Sequence, residues 1–192
     1  DARIDGYLAF GGGRFINAGG WAIRAPNARV GGNLTIKIDE NSYAPHGQKT
    51  VIEGGAKFDR TKIDGVFTWF NLELRGAGPD GHKGAVFSLA EAKIDGPLQA
   101  RALVMQADAR LDLSGARCAT LDDDLKAGWG LDGAMLSLEG FAYDRIENAS
   151  EHWRDRLHWL KRARSGSGIP ARGSSRPTTP SPVAGCHTMC EP

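Results

Sequence analysis

The chain has 192 residues, 24 basic and 23 acidic for a net charge of +1, with 26 glycines and three cysteines. So even a balance calls for neither a nucleic-acid nor a charged membrane partner, and no uncharged apolar run reaches the ~18 residues of a membrane span. Cys118 lies far from Cys186 and Cys190, which makes no disulfide framework and points to a reducing, cytoplasmic compartment.

The chain opens on Asp1 rather than Met and shows no charged-apolar-small leader, so it reads as a fragment or as a chain whose start has been removed. Its first residues introduce a pattern that then recurs. Ala2-Arg3-Ile4-Asp5-Gly6-Tyr7-Leu8 is followed by Ala28-Arg29-Val30-Gly31-Gly32-Asn33-Leu34, Thr61-Lys62-Ile63-Asp64-Gly65-Val66-Phe67 and Ala92-Lys93-Ile94-Asp95-Gly96-Pro97-Leu98. The slots are small, basic, β-branched, spacer, glycine, spacer, large apolar. Recurrence at a few tens of residues marks a repeat architecture. Weaker variants follow Gly54, Gly76, Gly115 and Gly133.

Period-2 alternation dominates to about residue 140, as in half-buried strands. Val30, Gly32, Leu34, Ile36 and Ile38 share one face, as do Ile63, Gly65, Phe67 and Trp69. Leu103, Met105, Ala107, Ala109, Leu111 and Leu113 form the longest such ladder. Asp-Gly is a hairpin signal, but the apolar slot is the second after glycine (Leu8, Leu34, Phe67, Leu98), whereas the first holds Tyr7, Asn33, Val66 and Pro97. The phase runs through the glycine, which favours a continuous strand over a hairpin. The expected fold is all-β, a right-handed parallel β-helix or β-solenoid of short coils over residues 1–143. Each inward Ile, Val or Leu contributes on the order of 1.5–3 kcal/mol, and no coil buries its inner face without its neighbours.

Over 144–164 the spacing of Ala149, Trp153, Leu157, Leu160 and Arg164 predicts an amphipathic helix. Capping the open end of the solenoid suits it better than lying on a membrane. Residues 165–192 turn abruptly rich in Pro, Ser and Gly, the composition of a disordered tail. Residues 161–192 carry Lys161, Arg162, Arg164, Arg172 and Arg176 against Glu191 alone.

With these residues assembled, the chain resembles a family of bacterial repeat proteins with Gly-Ala-x-Ile-x-Gly-x-Leu coils, often labelled membrane-associated oxidoreductases. The more specific part of the resemblance is Leu121, Asp123 and Asp124, then Leu136, Leu138, Gly140, Phe141 and Tyr143, then Arg156-Leu157-His158-Trp159-Leu160. It ends near residue 162, where the family continues into a Pro-Gln-Pro-Tyr segment and further helix. A truncation, or a shift of reading frame near residue 164, accounts for the departure, and the coding DNA would decide it.

The oxidoreductase label invites a search for a redox site. Gly76-Ala77-Gly78-Pro79-Asp80-Gly81 and Gly128-Trp129-Gly130-Leu131-Asp132-Gly133 match Gly-x-Gly-x-x-Gly. That motif holds a pyrophosphate only where it opens a helix, and the first match runs into a strand pattern, so no cofactor is expected. Asp122-Asp123-Asp124 offers clustered carboxylates for a hard cation but reads better as a polar corner before the last coil. His46, His82, His152, His158 and His187 form no zinc-binding spacing. Cys186-His187-Thr188-Met189-Cys190 matches no redox or haem motif, and Cys118 reads as a small core residue. No metal site and no catalytic constellation is expected. Asp5, Asp64 and Asp95 recur in the spacer slot, but Gly31 breaks the acidic ladder that a polysaccharide-cleaving β-helix would need.

The expected function is therefore a non-catalytic solenoid scaffold or binding protein, with a protein or surface ligand as partner and peripheral membrane contact compatible with it. Self-association through open solenoid ends is a further expectation. The alternatives are the oxidoreductase of the family label and a polysaccharide-acting enzyme.

Overall fold

A computed structural model describes residues 2–37, 49–124, 129 and 135–147. Among them the chain is all-β, with no helix, in a 14-stranded sheet that does not close. The strands are Arg3–Ile4 (β1), Leu8–Ala9 (β2), Arg14–Arg24 (β3), Arg29–Val30 (β4), Leu34–Ile36 (β5), Thr50–Lys57 (β6) and Lys62–Ile63 (β7). They continue as Phe67–Arg75 (β8), Val86–Ser88 (β9), Lys93–Met105 (β10), Arg110–Asp112 (β11), Arg117–Asp123 (β12), Met135–Ser137 (β13) and Ala142–Glu147 (β14). Every pairing among the described residues is parallel. Parallel neighbours cannot be joined by two-residue turns, so the Asp-Gly pairs are not hairpins.

The repeat slots lie directly over one another. Ile4, Val30, Ile63, Ile94, Cys118 and Tyr143 form one ladder through six coils. Leu8, Leu34, Phe67, Leu98, Leu121 and Ile146 form the next. On a second extended segment Phe15, Ile52, Leu74 and Met105 stack. On a third, Ile23, Ala56, Phe87, Leu111 and Leu136 do. The arrangement fits a β-solenoid whose three segments per coil face a shared interior. Phe58, Phe67, Trp69, Phe87 and Trp129 fill that interior and are all buried. Phe67 and Phe87 stack from opposite segments at 6.4 Å, and Trp69 meets Trp129 edge-on at 5.9 Å.

Each coil closes through the same corner. Phe58-Asp59-Arg60-Thr61 is tied by Thr61 N–H donating to the Phe58 carbonyl, and Leu89/Ala92, Leu113/Ala116 and Leu138/Phe141 repeat the bond. The third corner residue has positive φ in every coil: Asn27, Arg60, Glu91, Gly115 and Gly140. The glycines adopt this left-handed conformation freely, while Arg60 and Glu91 hold it at a steric cost.

Three expectations need correction. Leu103 to Leu113 is not one ladder: Ala107 is exposed and Asp108 turns the chain at φ 66°, so Leu103 and Met105 reach the core from one segment and Leu111 from another. Asp122-Asp123-Asp124 is not a corner: Asp122 and Asp123 end β12 and are buried. The last coil does not stop at Tyr143, because β14 carries strand through Glu147, paired to β12 over residues expected to begin the helix. The remainder of that helix, 148–164, and the tail 165–192 lie outside the described residues.

Candidate functional site

The basic slot of the repeat stacks into a column on the outer face, where Arg3, Arg29, Lys62, Lys93 and Arg117 lie in register. Parallel neighbours sit ~4.8 Å apart, so five cations at this spacing would repel without interleaved carboxylates. The spacer slot supplies these, the base of one coil reaching the acid of the next in three places, while Lys62 Nζ also reaches Asp64 Oδ1 of its own coil at 3.2 Å. Arg29 Nη2 reaches Asp64 Oδ2 at 3.1 Å, Lys62 Nζ reaches Asp95 Oδ2 at 3.3 Å, and Arg117 Nη2 reaches Asp144 Oδ1 at 3.0 Å. Where Gly31 leaves the slot empty, Arg3 turns to Asp5 of its own coil at 2.6 Å.

These contacts act on proton affinity. Arg29 first, and Lys62 second, hold Asp64 below the usual carboxylate range. Asp64, then Asp95, push the Lys62 ammonium above its usual value. Exposed pairs of this kind are screened by solvent and add little to stability. They fix where charge is displayed more than they hold the fold.

The acid slot is empty a second time, at Ala119. Between Ile94 and Pro97 the register with the next coil shifts, so that Cys118 and Thr120 bracket a single residue, Ala119, where coil four has Asp95 and Gly96. The Asp-Gly pair is thus a one-residue bulge that coil five lacks. Ala119 offers no carboxylate, and Lys93, whose partner would stand there, forms no ion pair among the described residues. A groove of about 360 Å³ opens at this point, lined by Lys93, Ile94, Asp95, Arg117, Cys118, Ala119 and Asp144.

The other sequence candidates have structural roles. Asp122 accepts both a 2.6 Å and a 2.7 Å hydrogen bond from Arg101 Nη2, and Gln99 Nε2 lies 3.3 Å away. Asp123 accepts from Trp129 Nε1 at 2.6 Å, which locks the indole into the core. Among the described residues no three His, Cys, Asp or Glu side chains are grouped to hold a metal. Gly76–Gly81 forms a turn, with Gly78 N–H donating to the His82 carbonyl, and leads into β9 rather than a helix. Cys118 is buried, and desolvation pushes its thiol up to about 12, which keeps it protonated and unreactive at neutral pH. Cys186–Cys190 lies outside the described residues, as do the glycines of 128–133.

Lys93, Arg117, Ala119 and Asp144 were not singled out together by the sequence reading. Two signals mark them: the base recurring ahead of the β-branched residue, and the Cys118–Leu121 spacing one residue shorter than Ile94–Leu98. Comparison with protein-family models, with curated proteins and with solved structures gives no match.

Proposed function

We propose that this chain is a non-catalytic solenoid scaffold that works as a binding surface, its coils winding in the right-handed sense usual for parallel crossovers. The observation that carries this reading is the pairing of the outer acids. A general acid at neutral pH needs its proton affinity raised. Asp64 is shifted the opposite way by Arg29 and Lys62, and Asp95 and Asp144 sit in ion pairs of 3.3 and 3.0 Å. The buried acids, Asp122 and Asp123, are spent on Arg101 and Trp129.

The repeat slots shared with the bacterial family that the chain resembles support the same reading. A protein or surface ligand is the partner, met at the cytoplasmic side, with membrane contact peripheral. The family's oxidoreductase label is the rival, and one experiment separates the two. The purified protein is examined by visible absorption and titrated with flavin and nicotinamide cofactors. The scaffold reading expects a colourless protein with no saturable binding. A bound chromophore or a saturating titration would overturn it.

A further inference from the structure

The groove above Lys93 has the geometry of a missing side chain. In the coils on either side, each base is matched by a carboxylate one coil further on: Lys62 by Asp95, and Arg117 by Asp144. Coil five substitutes Ala119 for that carboxylate. Over the described column, Arg3, Arg29, Lys62, Lys93 and Arg117 face Asp5, Asp64, Asp95 and Asp144, so one positive charge is left over at the place where the groove opens.

We propose that this groove binds a small hydroxy-carboxylate, such as a sugar acid, whose carboxylate takes the place of the absent aspartate beside Lys93. The proposal rests on the reading of the outer face as a binding surface and names its ligand class. Three observations select that class. A single unmatched cation calls for a single negative charge. Asp95 and Asp144, which line the groove as well, would repel a sulfate or phosphate dianion but accept hydrogen bonds from hydroxyl groups beside the carboxylate. A volume of about 360 Å³ is at the small end of ligand sites, which span about 300–1,000 Å³, and suits one ring. Cys118, held protonated in the groove floor, supplies no competing charge.

The experiment is a titration of the full chain with galacturonate at low salt, followed by amide chemical shifts, with the neutral methyl galactoside and inorganic phosphate as comparison probes. Galacturonate should saturate with a dissociation constant near ~1 mM, as one charge-assisted contact and a few hydroxyl bonds allow. Shifts should centre on Lys93, Arg117 and Ala119, with weaker binding of both comparison probes. Lys93→Ala should weaken binding by about tenfold or more, the loss of one charge-assisted hydrogen bond. Ala119→Asp should abolish it by restoring the internal carboxylate, and because that residue follows the pattern of the neighbouring coils the variant should keep the wild-type circular dichroism. Galacturonate binding unchanged in Ala119→Asp, phosphate or the neutral sugar binding as well as galacturonate, or no saturable shift would each overturn the proposal. Those failures would leave the cofactor experiment standing on its own, since a bound chromophore is read independently of the groove.

Discussion

Gly96→Ala tests why glycine recurs in the repeat. The bulge brings stacked backbones into direct contact, with Gly65 N–H donating to the Gly32 carbonyl and Gly96 N–H to the Gly65 carbonyl, both at 3.1 Å. A Cβ on Gly96 would lie 2.6 Å from the Gly65 oxygen and 2.9 Å from its carbonyl carbon. Both are backbone atoms, which cannot rotate aside, so the strand pair must separate locally. Overpacking of this kind costs about 1–3 kcal/mol. For a chain of this length that is a fall of roughly 2–4 °C in melting temperature per kcal/mol. Gly6 occupies the same slot in the first coil, where a Cβ would meet nothing within 4 Å. Gly6→Ala should therefore stay within about 0.5 kcal/mol of wild type, or gain slightly as the unfolded chain loses freedom. Urea unfolding of the full chain, followed by circular dichroism, measures both. Equal stability of the two variants would refute the close-contact explanation and leave the glycine repeat without a physical cause.

Arg101→Ala should destabilise more than Asp122→Ala, by about 3 kcal/mol against about 1–2, because the buried carboxylate is left with Gln99 alone while a freed Arg101 reaches water; equal losses in urea unfolding would count against this. Cys118 should resist alkylation in the native state at neutral pH and label only on unfolding, its thiol being pushed up to about 12 by burial. Peptide mapping by mass spectrometry checks this, and rapid native labelling would show the ladder position to be wrong. Asp64 is held below its ordinary 3.8, so its ion pairs support the fold fully above that value and are lost as pH falls through the lowered folded one, the unfolded chain taking up the proton first. Asp64→Asn should lose this contribution and flatten the acid limb of stability against pH; an unchanged acid limb would contradict the pairing.

The sequence carried the architecture where chemistry repeats. Leu8, Leu34, Phe67 and Leu98 stand in the same slot and stack in the structure, and their offset from glycine was enough to separate a bent continuous segment from a hairpin. The corners were illegible because they are set by backbone conformation rather than residue type: Asn27, Arg60, Glu91, Gly115 and Gly140 have positive φ in common and little else. The variants after Gly54, Gly115 and Gly133 look alike as strings yet do not share one segment: Ala56 and Leu136 stand on the ladder of Phe87 and Leu111, whereas Cys118 stands beside Ile94. Period-2 counting cannot see such a change, since residues before and after a corner can both point inward. The burial of Asp122 and Asp123 is not legible locally: acids are seldom buried, and the partners that permit it, Arg101 and Trp129, are distant or aromatic residues that no local pattern links to them. The groove at Ala119 was hidden for a related reason: it arises from a residue that is missing, which shows only when successive coils are laid side by side.

The most direct test of the stacked register is the distance between its two ends. Arg3 and Ala142 lie on one ladder, five strand steps apart, and at ~4.8 Å per step the stack places their backbones roughly 24 Å apart. Spin labels on Arg3→Cys and Ala142→Cys, with Cys186 and Cys190 replaced by serine, allow that distance to be read by double electron–electron resonance. A narrow distribution near this value, widened only by the label linkers, is the predicted result. A broad distribution, or one centred well beyond it, would contradict the parallel stacking on which the ladders, the groove and the proposed function all depend.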